Sequence, residues 1–278
     1  ATASACYTRS GSKFADAAMK FNPKLKTIIY GLDIFAFFMD ADEEKSPQPD
    51  FLYSGKHDQD WCYWWNFDML RTYLKDLQRV YTDKDGSKQF TDPDIMFSGK
   101  YKWDLRHHGF SLVAASLRKG NFRTAQFLNQ RPRAELMECF RANIGKNLIP
   151  MVERYPSVKF IFYLSPSSAL NFADAKCCGA LDLLFALRQM LADRLMAHEN
   201  VTFYDFHVAP ETLSVDNYKD LAHYVPMLND RMTLWMQQGK YRLSSPRDVA
   251  ENNRILVRYA DETMPLFTQL CRAGGLRE

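Results

Sequence analysis

Thr27-Ile28-Ile29-Tyr30-Gly31-Leu32-Asp33-Ile34-Phe35 is the stretch on which the fold turns. β-Branched and aromatic side chains follow one another here with almost no polar alternation. Such a run, which continues to Phe38, predicts a strand buried on both faces, as in a parallel sheet held between helices. The pattern occurs twice more. Pro156 introduces Val158-Lys159-Phe160-Ile161-Phe162-Tyr163-Leu164, and Asn200 leads into Val201-Thr202-Phe203-Tyr204-Asp205-Phe206. Between these two lies a periodic segment, residues 180–198, with Leu183, Leu184, Leu187, Met190, Leu191 and Leu195 on one side of a helix. Further helices are predicted over 12–21, 133–155, 225–238 and 247–273. Asn22-Pro23 ends the first and Gly274-Gly275 the last. Strand, helix, strand, helix, strand is the order of an α/β domain with a parallel sheet and helices on both faces.

Residues 57–130 are the least regular part. Trp61, Trp64, Trp65, Phe67, Met69, Leu70, Tyr73, Leu74 and Leu77 predict an amphipathic helix with an aromatic start. Thr82-Asp83-Lys84-Asp85-Gly86-Ser87 is a turn signal, and residues 97–127 read as loops with short elements. The whole is too long for an ordinary crossover. The sequence therefore predicts one domain over 1–278 with a helical and loop insertion at about 50–132 that covers the site.

The bulk numbers narrow the function classes. With 278 residues, 46% hydrophobic and 25% charged, the composition is that of a globular protein. A net charge of +3, with no basic stripe interleaved with aromatics, argues against nucleic acid. No run reaches the roughly 18 apolar residues of a membrane span. No signal-peptide pattern follows Ala1, and membrane association through a segment preceding it stays open. The cysteines Cys6, Cys62, Cys139, Cys177, Cys178 and Cys271 form no C-x-x-C pair, so they read as buried thiols, or as one or two disulfides in an exported protein.

In open α/β sheets, ligands bind beyond the carboxyl ends of the strands. The first predicted strand end offers Gly31-Leu32-Asp33 and the second Ser165-Pro166-Ser167-Ser168. The third leads through Asp205-Phe206-His207 to Val215-Asp216-Asn217-Tyr218-Lys219-Asp220-Leu221-Ala222-His223-Tyr224. Asp220 stands three residues before His223, a spacing that suits an orienting acid and a general base. The bland alternative is a helix-start aspartate beside a surface histidine. Asp104-Leu105-Arg106-His107 repeats the spacing, but no strand precedes it. For Asp33 the alternative is a strand-end carboxylate bonded to backbone N–H groups.

The segment Asn217 to Tyr224 resembles the last block, D-x-x-H, of the SGNH hydrolases, also called GDSL esterases. Thr27 to Phe35 resembles the strand carrying the family's G-x-N block: Gly31 matches its glycine, and Asp33 stands where the asparagine of the oxyanion hole is usual. Ala1-Thr2-Ala3-Ser4-Ala5 resembles the residues after the glycine of the second block. The resemblance is to envelope-associated bacterial members that modify cell-surface glycans. It implies a three-layer, flavodoxin-like fold, a periplasmic or envelope location, and ester hydrolysis or O-acyl transfer on an exported glycan or acylated small molecule. His223 would be the base, oriented by Asp220, Gly31 and Asp33 would border the oxyanion pocket, and no metal or cofactor would be needed. The family's nucleophile lies in a strand–turn block upstream of these. Ser12 is the nearest imitation and reads as a helix N-cap, so the serine is expected from residues outside this chain.

Two rivals stand beside this reading. One is a catalytically inactive glycan-binding or scaffold protein of the envelope. The other is a metal-dependent hydrolase using Asp205, His207 and His223. His107-His108 reads as solvated loop, and the tryptophans 61, 64 and 65 as helix packing or as a sugar-stacking surface. There is no G-x-S-x-G elbow, Walker loop or dinucleotide fingerprint. Oligomeric state is not encoded in any of these signals.

Overall fold

A computed structural model describes residues 7–44, 74, 78, 108–120 and 123–275. The chain divides into two compact units, one formed by residues 1–45 with 105–278 and the other by 46–104. Of the second unit only Leu74 and Gln78, both helical, are described. The tryptophans 61, 64 and 65, the segment 104–107, Ser4, Cys6 and Cys62 lie outside the described residues.

The first unit is a mixed α/β structure around a parallel sheet of three strands among the described residues, in the order β1 (Thr27–Leu32), β2 (Lys159–Leu164), β3 (Val201–Asp205). The register aligns Leu32 with Leu164 and Leu164 with Asp205, so the three carboxyl ends finish level. Around the sheet run α1 (Thr8–Phe21), α2 (Phe110–Arg118), α3 (Thr124–Gln130), α4 (Arg133–Asn143), α5 (Ile149–Arg154), α6 (Leu170–Cys177), α7 (Leu181–Leu195), α8 (Met227–Gln237) and α9 (Asp248–Ala273). Among the described residues, no helix is long and apolar enough to cross a membrane.

Strand alternation sorts the side chains into two apolar clusters. Phe160, Phe162 and Leu164 of β2 are buried with Phe203 against Ala15, Phe140, Leu187 and Leu191. Ile161 and Tyr163 face the other way and pack with Tyr204, Leu117, Trp235 and Leu270. Each phenylalanine taken from water in this way stabilises the fold by about 1.5–3 kcal/mol. Helix α9 serves both clusters, with Leu256 and Ala260 in the first and Phe267 and Leu270 in the second. Pro265, which lacks the N–H for a helical bond, falls between these two groups.

Three local expectations are corrected. Residues 27–35 are not one strand buried on both faces: β1 stops at Leu32 and is alternately exposed, with Ile29 60% accessible. It lies at the edge of the described sheet, so only β2 has a described neighbour on either side. Ile34–Phe38 is instead a buried 3-10 turn, because the Asp33 carboxylate accepts the Phe35 N–H at 3.0 Å and caps it. Nor does Ser12 cap α1, which already begins at Thr8. Finally, helix α6 follows the Ser165–Ser168 turn, where no helix was predicted. Its residues 170–175 are all buried, so it lacks the polar face on which helical periodicity depends.

The predicted helix over 133–155 is interrupted by a π turn at Ile144–Leu148. Pro150 accounts for it: with no N–H and a ring that crowds the carbonyl four residues back, it forces the preceding turn to widen.

Gly11, inside α1, is a packing requirement. A Cβ there would collide with the hydroxyl and ring of Tyr30, and that ring is backed by Phe162 at 5.6 Å. Helix propensity alone favours Gly11→Ala by about 1 kcal/mol. The overpacking reverses the sign, and urea denaturation is expected to show a loss of about 1–3 kcal/mol.

Candidate functional site

The site is built from the chain after β3. Asp205 closes the strand, and three short 3-10 turns (Phe206–Val208, Pro210–Leu213, Val215–Asn217) carry the backbone back across the sheet end. Tyr218 and Tyr224 then form an antiparallel bridge, and the Lys219 N–H donates to the His223 carbonyl at 3.0 Å. The result is a closed loop with Asp220 and His223 inside it. One oxygen of Asp220, Oδ1, accepts the backbone N–H groups of Ala222 (2.9 Å) and His223 (2.7 Å). The other, Oδ2, lies 2.7 Å from His223 Nδ1.

This carboxylate caps a turn and orients an imidazole at once. Burial by itself would raise its pKa, but the bond to the His223 ring and the two backbone donors outweigh that, and Asp220 is held below the ordinary carboxylate range. An ionised carboxylate only accepts, so Nδ1 carries the proton and Nε2 is left as the basic nitrogen. The side chain of Asp220 is 8% accessible and that of His223 27%. Helix α8 starts only at Met227, so Asp220 is not a helix-start residue.

Bonds from the β2–α6 turn hold the loop in place. Ser168 N–H donates to the Leu221 carbonyl (3.1 Å) and Ala169 N–H to Thr212 (2.9 Å). The Tyr218 hydroxyl donates to the Pro166 carbonyl (2.6 Å). At the same end of the sheet Tyr224 hydrogen-bonds Ser165. Burial first, then neighbouring Tyr163 and the Asp33 charge, keep Tyr224 a neutral phenol. Gly31 is backbone over which Tyr163 lies: a Cβ at Gly31 would meet the Tyr163 hydroxyl at 2.7 Å. Asp33 is spent in part on its cap to Phe35. Asp220 and His223 are thus in direct contact, while Gly31 and Asp33 belong to a neighbouring group with Tyr163, Ser165 and Tyr224.

Asp205 and His207, candidate metal ligands in the sequence, belong to a second charged centre whose key member, Arg188, the sequence did not single out. Arg188, on the leucine-rich face of α7, is fully buried, as is Asp205. The guanidinium reaches Asp205 through two bonds, Nη2 to Oδ2 at 2.5 Å and Nη1 to Oδ1 at 3.2 Å. Asn252 donates to Oδ2 (2.7 Å), and Asn253 accepts the Arg188 Nε–H (2.8 Å). His207 Nδ1 lies 2.5 Å from Arg188 Nη1 and must accept, because arginine only donates. Burial, reinforced by Arg188 and opposed by Asp205, pushes the His207 pKa down to about 3. Its 3.7 Å approach to Asp205 is therefore no ion pair at neutral pH. The available signal was an arginine in register with Leu184 and Leu191, a charge on an apolar stripe.

These contacts bear on the metal reading. Asp205 and His207 are committed to Arg188, and among the described residues no three His, Cys, Asp or Glu side chains converge. Cys139, Cys177, Cys178 and Cys271 carry thiols, not disulfides. Next to the Arg188 network opens a cavity of about 290 Å³ lined by Val208, Tyr241, Arg242, Leu243, Asp248, Glu251 and Asn252. It contains none of the predicted site residues. Its carboxylates are already used, Asp248 by the N–H groups of Ser244 and Ser245 and Glu251 by Arg254. The Asp220–His223 pair is the better chemical centre, since its carboxylate fixes the imidazole tautomer, whereas the His207 ring is locked against Arg188.

Comparison of the chain with protein-family models, with curated proteins and with solved structures gave no match.

Proposed function

We propose that this chain is the α/β domain of an SGNH-type ester hydrolase or O-acyltransferase, with His223 as general base oriented by Asp220. The observation that carries the reading is the 2.7 Å contact of Asp220 Oδ2 with His223 Nδ1, set in a loop bonded to the carboxyl end of a parallel sheet. In this chemistry Nε2 takes the proton of a serine hydroxyl as its oxygen attacks the acyl carbon, and Asp220 stabilises the imidazolium that forms. Gly31 and Asp33 border the acyl pocket. The glycan substrate, the envelope location and the flavodoxin-like topology rest on the sequence resemblance alone.

A second reading has its own support. The Asp33 carboxylate, at the position of the family's oxyanion-hole asparagine, would repel an oxyanion, which favours a non-catalytic glycan-binding or scaffold protein. Among the described residues, no serine upstream of Gly31 occupies a strand–turn position, because Ser10 and Ser12 lie within α1.

Labelling with a serine-directed fluorophosphonate, followed by mass spectrometry of the adduct, separates the two. The hydrolase reading takes its serine from outside this chain, so it expects one labelled serine in the protein as its whole gene encodes it, and loss of that label in His223→Ala and Asp220→Asn. Absence of any adduct on that whole, folded protein would set the hydrolase reading aside in favour of the binding protein.

A further inference from the structure

We infer that Asn171 is the positioning residue of the Asp220–His223 pair. It stands in the first turn of α6, 50 residues before Leu221 in sequence, and is 4% accessible. Its side-chain amide donates one hydrogen bond, Nδ2 to the Leu221 carbonyl at 2.6 Å. That carbonyl belongs to the peptide unit between Leu221 and Ala222, and the N–H of the same unit donates to Asp220 Oδ1 at 2.9 Å. A peptide unit is planar, with its C=O and N–H pointing in opposite directions. Fixing the carbonyl therefore aims the N–H. Asn171 and the Ser168 N–H hold one side of the plane, and Asp220 is held by the other. With Oδ1 anchored in this way, Oδ2 is the oxygen left for His223 Nδ1.

A second observation separates positioning from simple packing. Asn171 Oδ1 is buried and has no hydrogen-bond partner among the described residues. The amide cannot turn over to relieve this, since Oδ1 would then face the Leu221 carbonyl oxygen. An orphaned acceptor costs the fold stability. Leu170, Phe172 and Ala173 beside it are apolar and buried, so a leucine of similar volume fits the surroundings without that cost. A residue that breaks the rule for buried polar atoms, while holding a functional loop, marks a function.

The catalytic meaning of this role rests on the hydrolase reading, whereas the positioning role is tested on the pair itself. Histidine-labelled chain is examined by ¹⁵N NMR, with His223 signals assigned from their disappearance in His223→Ala. The wild-type chain is expected to show His223 as the Nδ1–H tautomer with a hydrogen-bonded downfield proton. In Asn171→Leu that proton signal is expected to be lost and the tautomers to mix, while the thermal midpoint is unchanged or higher. A His223 spectrum in Asn171→Leu identical to wild type overturns the proposal. Amide exchange of Ala222 in the unmodified chain supplies a reading that needs no variant: slow exchange supports the proposal and exchange at the rate of an open loop overturns it. Fluorophosphonate labelling run in parallel distinguishes the cases. An altered His223 spectrum without any adduct on the wild-type protein as its whole gene encodes it removes the hydrolase reading and leaves Asn171 as the positioning residue.

Discussion

Arg188→Ala is expected to lower the unfolding free energy by about 3–5 kcal/mol, the range for removing one partner of a buried ion pair. Arg188 and Asp205 are both inaccessible, and the guanidinium supplies two of the bonds that satisfy the carboxylate. Alanine would leave Asp205 charged and under-bonded in an apolar layer, and His207 Nδ1 would lose its donor. The cost is the stranded charge more than the lost attraction. That distinction sets up a paired experiment. In Asp205→Leu with Arg188→Met both charges are gone, and such replacements are often neutral or stabilising. The double variant is therefore expected to be more stable than Arg188→Ala. Urea denaturation of the wild-type chain, Arg188→Met, Asp205→Leu and the double measures the coupling. A loss below about 1 kcal/mol in Arg188→Ala would show that water or a neighbour already satisfies Asp205. The pair also matters beyond stability, because Asp205 is where the chain leaves the sheet for the loop of Asp220 and His223.

Acid is expected to destabilise the protein well before its carboxylates titrate, through His207. Burial comes first among the causes that take its folded pKa from 6.5 to about 3, with Arg188 adding to it. In the unfolded chain the ring titrates near its ordinary value of about 6.5. Above that pH both states are neutral and the stability is intact. As pH falls through 6.5 the unfolded chain gains a proton that the folded chain refuses, so stability drops towards a limiting slope of about 1.4 kcal/mol per pH unit. The loss continues until the folded ring itself protonates near 3. Asp205 and Asp220, both lowered, add to the decline only below the carboxylate range, since each carries stability above its unfolded pKa that is lost as pH falls through the folded one. His207→Gln removes the imidazole, and its denaturation midpoints are expected to fall less steeply between pH 6.5 and 4.5. Parallel slopes for the two proteins would mean that His207 is protonated in the fold.

The sequence by itself determined the α/β character, and the reason is local. The apolar runs that became β2 and β3 and the leucine periodicity of α7 are written in neighbouring residues, and their order along the chain implies a parallel sheet. The Asp220–His223 pair was legible for the same reason: three residues of spacing bring the two side chains together within one turn. What only the tertiary structure decided depends on partners far away in sequence. Ile28, Ile29 and Tyr30 look as apolar as Phe160, Ile161 and Phe162, but β1 has a described neighbour on one side and β2 on both. The turn after Asp33 is capped locally, but its rings are buried by Phe127 and Phe140 from distant helices. No pattern in α7 says that Arg188 meets Asp205, and none in α6 says that Asn171 reaches Leu221. Hydrophobic periodicity records which face of an element is buried. It does not record what that face touches, and the buried polar contacts on which this site depends are made there.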